Sequence, residues 1–574
     1  MNKRVMLGNE AFARGVYEAG VKVVSSYPGT PSTEITEACS KYDEMYVEWA
    51  PNEKVAVEVA IGAGVAGARA LSCMKHVGLN VAADPFFTAA YTGVTGGTVL
   101  IVADDNGCHS SQNEQDSRFY ARSAGVPLLE PSNSQECKDY LKLAFDISEE
   151  YDTVVLVRSH TRISHSRGVV TLEEPREVVV KPYEKNFLKY VAMPAMARKL
   201  HVEQEKRLKK FSSDSNEFEI NRIEEGSKEI GIITSGICYQ YVKEAMPEAS
   251  VLKIGSVYPL PKELIKEFAQ SVKKVYVMEE GESFIEDQVR LLGIDATGKD
   301  MLGIQGEYST NRIKMAFGKE ISEITTIDHA PMRPPIMCAG CPHRGAFHVL
   351  KKTKRIVTGD IGCYTLGALA PTSSMDTALC MGASISMAHG FAKAGGREME
   401  KRVIGILGDS TFFHSGITGL INMHYNGCKG TVMILDNRIT GMTGHQHNPS
   451  TGYDAKGNEA PAIDIKTLCQ GIGIKNIVEV DPFEVEDLEK IVLEESERDE
   501  LSVIITKRPC ALIIKDKGIR YHITEDCKKC GKCMEIGCPA IERNGKDISI
   551  IKESCVGCGL CLKMCPFDTI KEAI

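Results

Sequence analysis

Residues 408–446 read GDSTFFHSGITGLINMHYNGCKGTVMILDNRITGMTGHQ. The apolar run in RVIGILGD ends on Gly408 and Asp409, a helical stretch follows, and a second apolar run, TVMILDN, delivers Asn437. Strand, helix, strand at this spacing is the unit of a parallel sheet, because parallel neighbours need a crossover long enough for a helix. The alternation recurs along the chain. Residues 1–165 carry VKVVSSYPGTPSTEITEACSKY, which reads as strand, turn and helix with Thr30 as N-cap and Pro31 at the first helical position. A later buried strand lies in GTVLIVADD. EIGIITSG, SVLKIGSVYPLP and KKVYVMEEG mark a smaller α/β unit over 228–328. The prolines of HAPMRPPIMCAGCP open a third unit, 329–517, which holds the first-quoted stretch. Residues 166–227 are charge-rich and read as an exposed helical linker, and 518–574 form a small cysteine-dense module.

Bulk numbers narrow the class. The net charge of −9, from 68 basic and 77 acidic residues, argues against a general nucleic-acid binder. The opening MNKRVMLGNE lacks an apolar signal core, and the apolar run IGAGVAGARALSCM is broken by Arg69, so no membrane partner is expected. Twenty cysteines without a secretion signal point to a reducing cytoplasm and to metal rather than disulfides. The expectation is a soluble cytoplasmic metalloprotein.

The tail supplies the metal. Cys527, Cys530, Cys533 and Cys538-Pro are followed by Cys555, Cys558, Cys561 and Cys565-Pro, two arms in a short repeat. In two-cluster ferredoxins three cysteines of one arm bind one cubane and the fourth serves the other. That rule assigns Cys527, Cys530, Cys533 and Cys565 to one [4Fe–4S] cluster, and Cys555, Cys558, Cys561 and Cys538 to a second. The first arm has one extra residue before Cys538. Zinc knuckles or core thiols are the bland alternatives. Clusters carry electrons but do not generate them, so a source must lie elsewhere in the chain.

Residues 408–446 resemble the thiamine-diphosphate motif, Gly-Asp-Gly followed about two dozen residues later by Asn; here 26 residues separate Ser410 from Asn437. A buried diphosphate needs Mg²⁺, which takes oxygen ligands. The resemblance implies Asp409, Asn437 and the Ile439 carbonyl as Mg²⁺ ligands, with Gly408, Ser410 and Thr440 against the cofactor. Ser410 departs from the motif's second glycine. YPGTPSTE followed by NEKVAVEVAIGAGVAGARALSCMKHVG resembles the pyrimidine-binding domain of pyruvate:ferredoxin oxidoreductases, which places Glu53 where the cofactor-activating glutamate stands. Glu58, one turn on, is the competitor, and Glu53 is favoured by its matching position. Thr30, His76 and His414 are the further catalytic candidates.

CAGCPHRG, GDIGCYTLG and KRPCALII resemble the segments that hold a proximal cluster in 2-oxoacid:ferredoxin oxidoreductases, which implies a third [4Fe–4S] site at Cys338, Cys341, Cys363 and Cys510. The alternative is a structural turn and core thiols. Cys39, Cys73, Cys108, Cys137, Cys238, Cys380, Cys428 and Cys469 read as packing residues.

Nearly the whole chain resembles the large (alpha) subunits of indolepyruvate:ferredoxin oxidoreductases. The implied fold is α/β multidomain: two thiamine-diphosphate-binding parallel-sheet domains, a transketolase C-terminal-like domain and a two-cluster ferredoxin-like α+β module. The implied reaction converts an arylpyruvate and CoA through a thiamine enaminol to aryl-acetyl-CoA and CO₂, with single electrons leaving to ferredoxin. Alternatives are another 2-oxoacid, or an electron-transfer subunit with vestigial thiamine domains. A smaller beta (gamma-type) subunit is expected as partner in an α2β2 assembly. The tail, with 8 basic and 6 acidic residues over 527–574, is a suitable face for an acidic ferredoxin. Arg69, Arg118 and His76 are all open as ligands of the substrate carboxylate.

Overall fold

The computed structural model describes residues 2–321, 331 and 334–573, and the boundary expected at 328–329 lies outside the described residues. The chain forms two compact units, Met1–Thr326 and Ile327–Ile574.

The first unit holds a seven-stranded sheet in the order Ser256–Tyr258, Leu128–Leu129, Val155–His160, Thr98–Asp104, Ala70–Lys75, Val23–Ser26, Tyr46–Trp49. Its inner strands pair in parallel and are buried along their length, as continuous runs such as TVLIVAD require. A second, five-stranded sheet is built on Ser227–Thr234, Ala249–Lys253 and Lys274–Met278. The parts expected as separate are interleaved. Ser256–Tyr258, from the smaller unit, pairs antiparallel with Leu128–Leu129 of the large sheet. Both ends of the charged linker are also strands: Arg167–Thr171 pairs with Lys3–Leu7, and Arg222–Glu224 with Ala249–Lys253. Between them runs the exposed 21-residue helix Pro194–Asp214. One hydrophobic core joins Val57, Phe86 and Leu100 to Phe268 and Phe284.

The turn after Val23–Ser26 differs from expectation. The helix runs Thr33–Cys39 with Ser32 in the capping position, and Thr30–Pro31 is a cis bond before it. Ser32 donates both its amide and its hydroxyl to the Gly29 carbonyl, each at 2.8 Å, closing a turn that delays the helix.

Charges at the strand ends bind the two sheets together. Arg158 donates to Asp104 at 2.6 Å and to Glu130, and His160 lies 2.7 Å from Glu130. Arg118, fully buried, pairs with Asp116 and with Glu279, which follows the strand Lys274–Met278 of the second sheet. Burial alone would raise the Glu130 carboxyl, but Arg158 and His160 hold it far below the usual range.

The second unit carries a wholly parallel six-stranded sheet in the order Thr377–Ala378, Ile356–Gly359, Val403–Gly408, Thr431–Asp436, Ser502–Lys507, Asn476–Val480. The tail carries two antiparallel strand pairs: its first and last strands, Tyr521–Ile523 and Ile570–Glu572, and the hairpin Ile541–Asn544 with Asp547–Ile550. Phe347, Leu407 and Ile504 share a core with Ile536, Leu560 and Ile570, so the tail is packed onto the sheet domain rather than tethered to it. Among the described residues no helix is long and apolar enough to cross a membrane.

Removing the Arg118 charge should leave Asp116 and Glu279 buried and unbalanced. Arg118→Leu is expected to destabilise the first unit by about 3–5 kcal/mol, read as an earlier first transition in urea. An unchanged transition would show that the network contributes nothing to joining the sheets.

Candidate functional site

In the second unit the carboxyl ends of adjacent parallel strands collect the polar groups, as open α/β sheets dictate. Val403–Gly408 ends on Asp409, Thr431–Asp436 on Asn437, and Ile356–Gly359 on Asp360. Asp409 is 2% exposed, and burial together with neighbouring Asp436 pushes its carboxyl up to about 7. It accepts from Asn448 Nδ2 at 3.1 Å and Ser450 Oγ at 3.5 Å. Asn437 is buried and turns its Oδ1 to the Ile439 amide at 3.2 Å, which sets the loop whose Thr440 hydroxyl donates to Ser410 Oγ at 3.0 Å. Gly408 lies close to Tyr364: a Cβ there would stand 3.0 Å from the ring. His414 is buried with Nδ1 2.6 Å from the Ser415 hydroxyl. A buried carboxylate with no cationic partner among the described residues, beside amide and carbonyl oxygens, is a donor set that fits Mg²⁺.

The cysteines gather in three groups in the same unit. Cys533, pushed up to about 11 by burial, has Cys527, Cys530 and Cys565 as its thiol neighbours. Cys561, pushed up to about 12 by burial, has Cys558, Cys538 and Cys555 as its largest neighbours. Cys538, Cys555, Cys558 and Cys561 line one cavity, whose wall includes Ala339 and Gly340 of the CAGC turn. Cys363 is raised to about 11 by burial and then by Cys510 and Cys338. Cys341, raised to about 12 by burial, also has Cys363 and Cys338 nearby. Cys510 has Asp409 among its electrostatic neighbours, and its amide donates to the Asn437 carbonyl at 2.9 Å. The fourfold set therefore adjoins the Asp409 edge. Among the described residues no three such side chains close on one point as ligands of a single ion would. A cubane's corners, each held by one thiolate, need wider spacing. Thiols raised by burial keep their protons until a metal displaces them.

In the first unit Glu53 opens the helix Glu53–Val65, capped by Asn52, whose side chain accepts from the Val55 amide at 2.9 Å. Glu53 is buried against Gly78, where a Cβ would fall 2.6 Å from Glu53 Oε1. Glu58 is exposed and paired with Lys54. His76 follows the strand Ala70–Lys75. Its Nε2 lies 3.2 Å from the Asn113 carbonyl, its buried Nδ1 has no hydrogen-bond partner, and burial lowers its pKa. Thr30 sits in the YPGTP turn, whose Gly29 packs on Lys75. The substrate-carboxylate candidates separate cleanly. Arg69 stands at the opposite end of that strand, paired with Asp146 at 2.9 Å and Glu149 at 2.8 Å. Arg118 is spent in the buried network. His76 opens the short helix His76–Val81, whose Gly78 touches Glu53. Lys75, which sequence reading passed over, joins it, buried and donating to the Ser110 carbonyl at 2.6 Å. Of the eight cysteines read as packing, Cys108 and Cys380 are exposed, because both fall on loops beyond strand ends rather than inside elements.

Three family models match the chain. Pyruvate flavodoxin/ferredoxin oxidoreductase, thiamine diP-bdg, covers residues 14–224. Thiamine pyrophosphate enzyme, C-terminal TPP binding domain, covers 360–506, and 4Fe-4S binding domain covers 548–571. Indolepyruvate oxidoreductase subunit IorA of Archaeoglobus fulgidus is 40% identical over 100% of this chain and 98% of its own length. The chain belongs to the IorA family. The same subunit of Methanothermobacter marburgensis is 40% identical, over 99% of this chain and 97% of its own, and that of Pyrococcus abyssi 39%, over 99% and 96%. As an IorA-type chain it is a subunit of a 2-oxoacid:ferredoxin oxidoreductase, with thiamine diphosphate and iron–sulfur as its cofactors. Its fold is the α/β multidomain arrangement of two thiamine domains and a ferredoxin-like tail.

In this IorA-type chain sequence reading also missed Asp360, whose carboxyl burial raises to about 7 although Tyr364, Ser384 and Gly382 all donate to it. Its signal was available: TGDIG repeats the strand-end Gly-Asp of LGDS. Asn448, in GHQHNPS, carried none beyond its segment.

Gly78→Ala should displace the Glu53 carboxylate and weaken thiamine diphosphate binding about tenfold or more by calorimetry. Gly62→Ala, with open space at its Cβ, should leave binding unchanged. Equal affinity in both variants would remove Glu53 from the cofactor site.

Proposed function

We propose that the chain is the large subunit of an arylpyruvate:ferredoxin oxidoreductase, which takes an indolepyruvate-type acid and CoA to aryl-acetyl-CoA and CO₂ while reducing ferredoxin. The observation that carries the substrate is the 40% identity, end to end, with subunits named for indolepyruvate. Similarity to 2-oxoglutarate synthase subunit KorA of Archaeoglobus fulgidus reaches 24% over 49% of this chain, which favours the aryl acid over 2-oxoglutarate.

Thiamine diphosphate, when bound, supplies the carbon nucleophile and electron sink. Glu53 would hold a proton at the aminopyrimidine, from a buried position fixed by the Asn52 cap and Gly78. Asp409, Asn437 and the Ile439 carbonyl would hold Mg²⁺ against the diphosphate, with Gly408, Ser410 and Thr440 beside it. His76 and Lys75 are the groups we assign to the substrate carboxylate, and Thr30 and His414, one in each unit, are further catalytic candidates. His76, neutral through burial, would act there as a hydrogen-bond donor rather than a charge.

Twelve cysteines would hold three [4Fe–4S] clusters: Cys338, Cys341, Cys363 and Cys510 nearest the cofactor, then Cys538, Cys555, Cys558 and Cys561, then Cys527, Cys530, Cys533 and Cys565. The thiol neighbourhoods support this order, since the CAGC turn forms part of the wall of the second group's cavity. A smaller beta (gamma-type) subunit completes the enzyme, in an α2β2 assembly. The vestigial reading is opposed by the burial of both Glu53, at a helix start, and Asp409, at a strand end.

The test is anaerobic, on the chain with its co-purifying small subunit and CoA, following loss of the clusters' visible absorbance. Indolepyruvate and phenylpyruvate should bleach them about tenfold or more faster than pyruvate or 2-oxoglutarate. Faster bleaching by either of the latter two would reassign the substrate. Bleaching by none would revive the electron-transfer reading.

A further inference from the structure

Arg344 lies in the first turn of the helix His343–Lys352, just after CAGCP, and is 2% exposed. Its guanidinium donates to backbone carbonyls on two sides. Nε reaches Cys338 at 2.9 Å and Nη2 reaches Met337, in the turn that carries Cys338 and Cys341. Nη1 reaches Ile536 at 2.9 Å and Gly537 at 2.5 Å, in the loop that leads to Cys538. This is where the tail's repeat is broken by one extra residue. Gly537 has φ 64, the left-handed conformation that glycine tolerates, and the carbonyls of that turn are the ones Arg344 holds. A Cβ at Gly340 would come 2.5 Å from Val556 Cγ2 and 3.4 Å from Cys558 Cβ, so the two cysteine loops touch beside the clamp.

Among the described residues Arg344 has no carboxylate at ion-pair distance. A guanidinium stays charged at any accessible pH, and an isolated buried charge is costly. The carbonyls it holds belong to the loops that carry Cys338 and Cys341 on one side and Cys538 on the other, so a cluster in either loop would be its neighbouring charge. Four thiolates around a cubane leave a net anion, and each reduction adds one electron and one negative charge, with no bond broken and no proton moved. A fixed cation close by favours that addition.

We propose that Arg344 is the shared counter-charge of the Cys338/Cys341/Cys363/Cys510 and Cys538/Cys555/Cys558/Cys561 clusters, raising their reduction potential while fixing one loop against the other. It is a positioning residue and touches neither substrate nor thiamine. The inference rests on the cluster reading of those eight cysteines.

Arg344→Gln and Arg344→Lys in the full complex test it by anaerobic redox titration, followed by electron paramagnetic resonance. The Gln variant should lower the potential of at least one of the two clusters by the equivalent of about a tenfold change in its reduction equilibrium, about 59 mV for one electron. The Lys variant, which keeps the charge and loses the fork, should stay close to the unaltered protein. Equal shifts in both variants, or none in either, would overturn the proposal. If the Gln variant loses iron, the Lys variant decides: iron retained at an unaltered potential supports the proposal, and a fall of that same size overturns it. Loss of iron from both would reduce Arg344 to a folding contact and overturn it too. Absence of the Cys338-group signal from the unaltered protein would instead remove the cluster reading itself.

Discussion

Buried charge must be balanced, and the two units of this chain meet that constraint in opposite ways. In the first unit the protein balances itself. Arg118 and Arg158 lie among Asp104, Asp116, Glu130 and Glu279, and the network fastens one sheet to the other. In the second unit three buried charges, Asp409, Asp360 and Arg344, have no opposite partner among the described residues. Asp409 and Asp360 are pushed toward neutrality at the strand ends, and Arg344 is held by carbonyls alone. A carboxylate in that state is a place for a cation, and a guanidinium in that state is a place for an anion. Mg²⁺ with a diphosphate, and thiolate-held clusters, are the groups whose charges answer both. The cofactor chemistry of the family is thus written in the electrostatics of the folded chain.

Rigidity follows from the same packing. The ferredoxin-like tail shares its apolar core with the diphosphate sheet, and the CAGC turn walls the tail cavity. Electron transfer between clusters depends on separations that do not wander, and a tethered module would not supply them. Arg344 adds two donor contacts across that junction, to the Ile536 and Gly537 carbonyls, and two more to its own turn.

Much of this was legible in the sequence because the signals were local. Apolar runs bounded by Gly-Asp marked the parallel strands, and cysteine spacing marked the two arms of the tail. What was not legible depends on distant pairing. Ser256–Tyr258 is a three-residue edge strand whose partner, Leu128–Leu129, lies more than a hundred residues earlier, and nothing local announces it. The helix after YPGTP begins at Thr33 rather than Pro31 because Ser32 closes a turn on Gly29. Arg69 and Arg118 were plausible anion ligands as residue types, and only their acidic neighbours showed them committed. Arg344 hid between two cysteine motifs, since its role lies in the carbonyls it gathers.

The account stands most directly on the cofactor content of the intact chain. Iron, acid-labile sulfide and thiamine diphosphate should be counted per chain after anaerobic purification, in the presence of Mg²⁺. The account predicts about twelve irons and one thiamine diphosphate, three cubanes beside one cofactor. About eight irons would contradict the cluster at Cys338, Cys341, Cys363 and Cys510, and with it the idea that Arg344 answers two anions. Clusters without thiamine diphosphate would contradict the reading of the Asp409 edge as a site of chemistry.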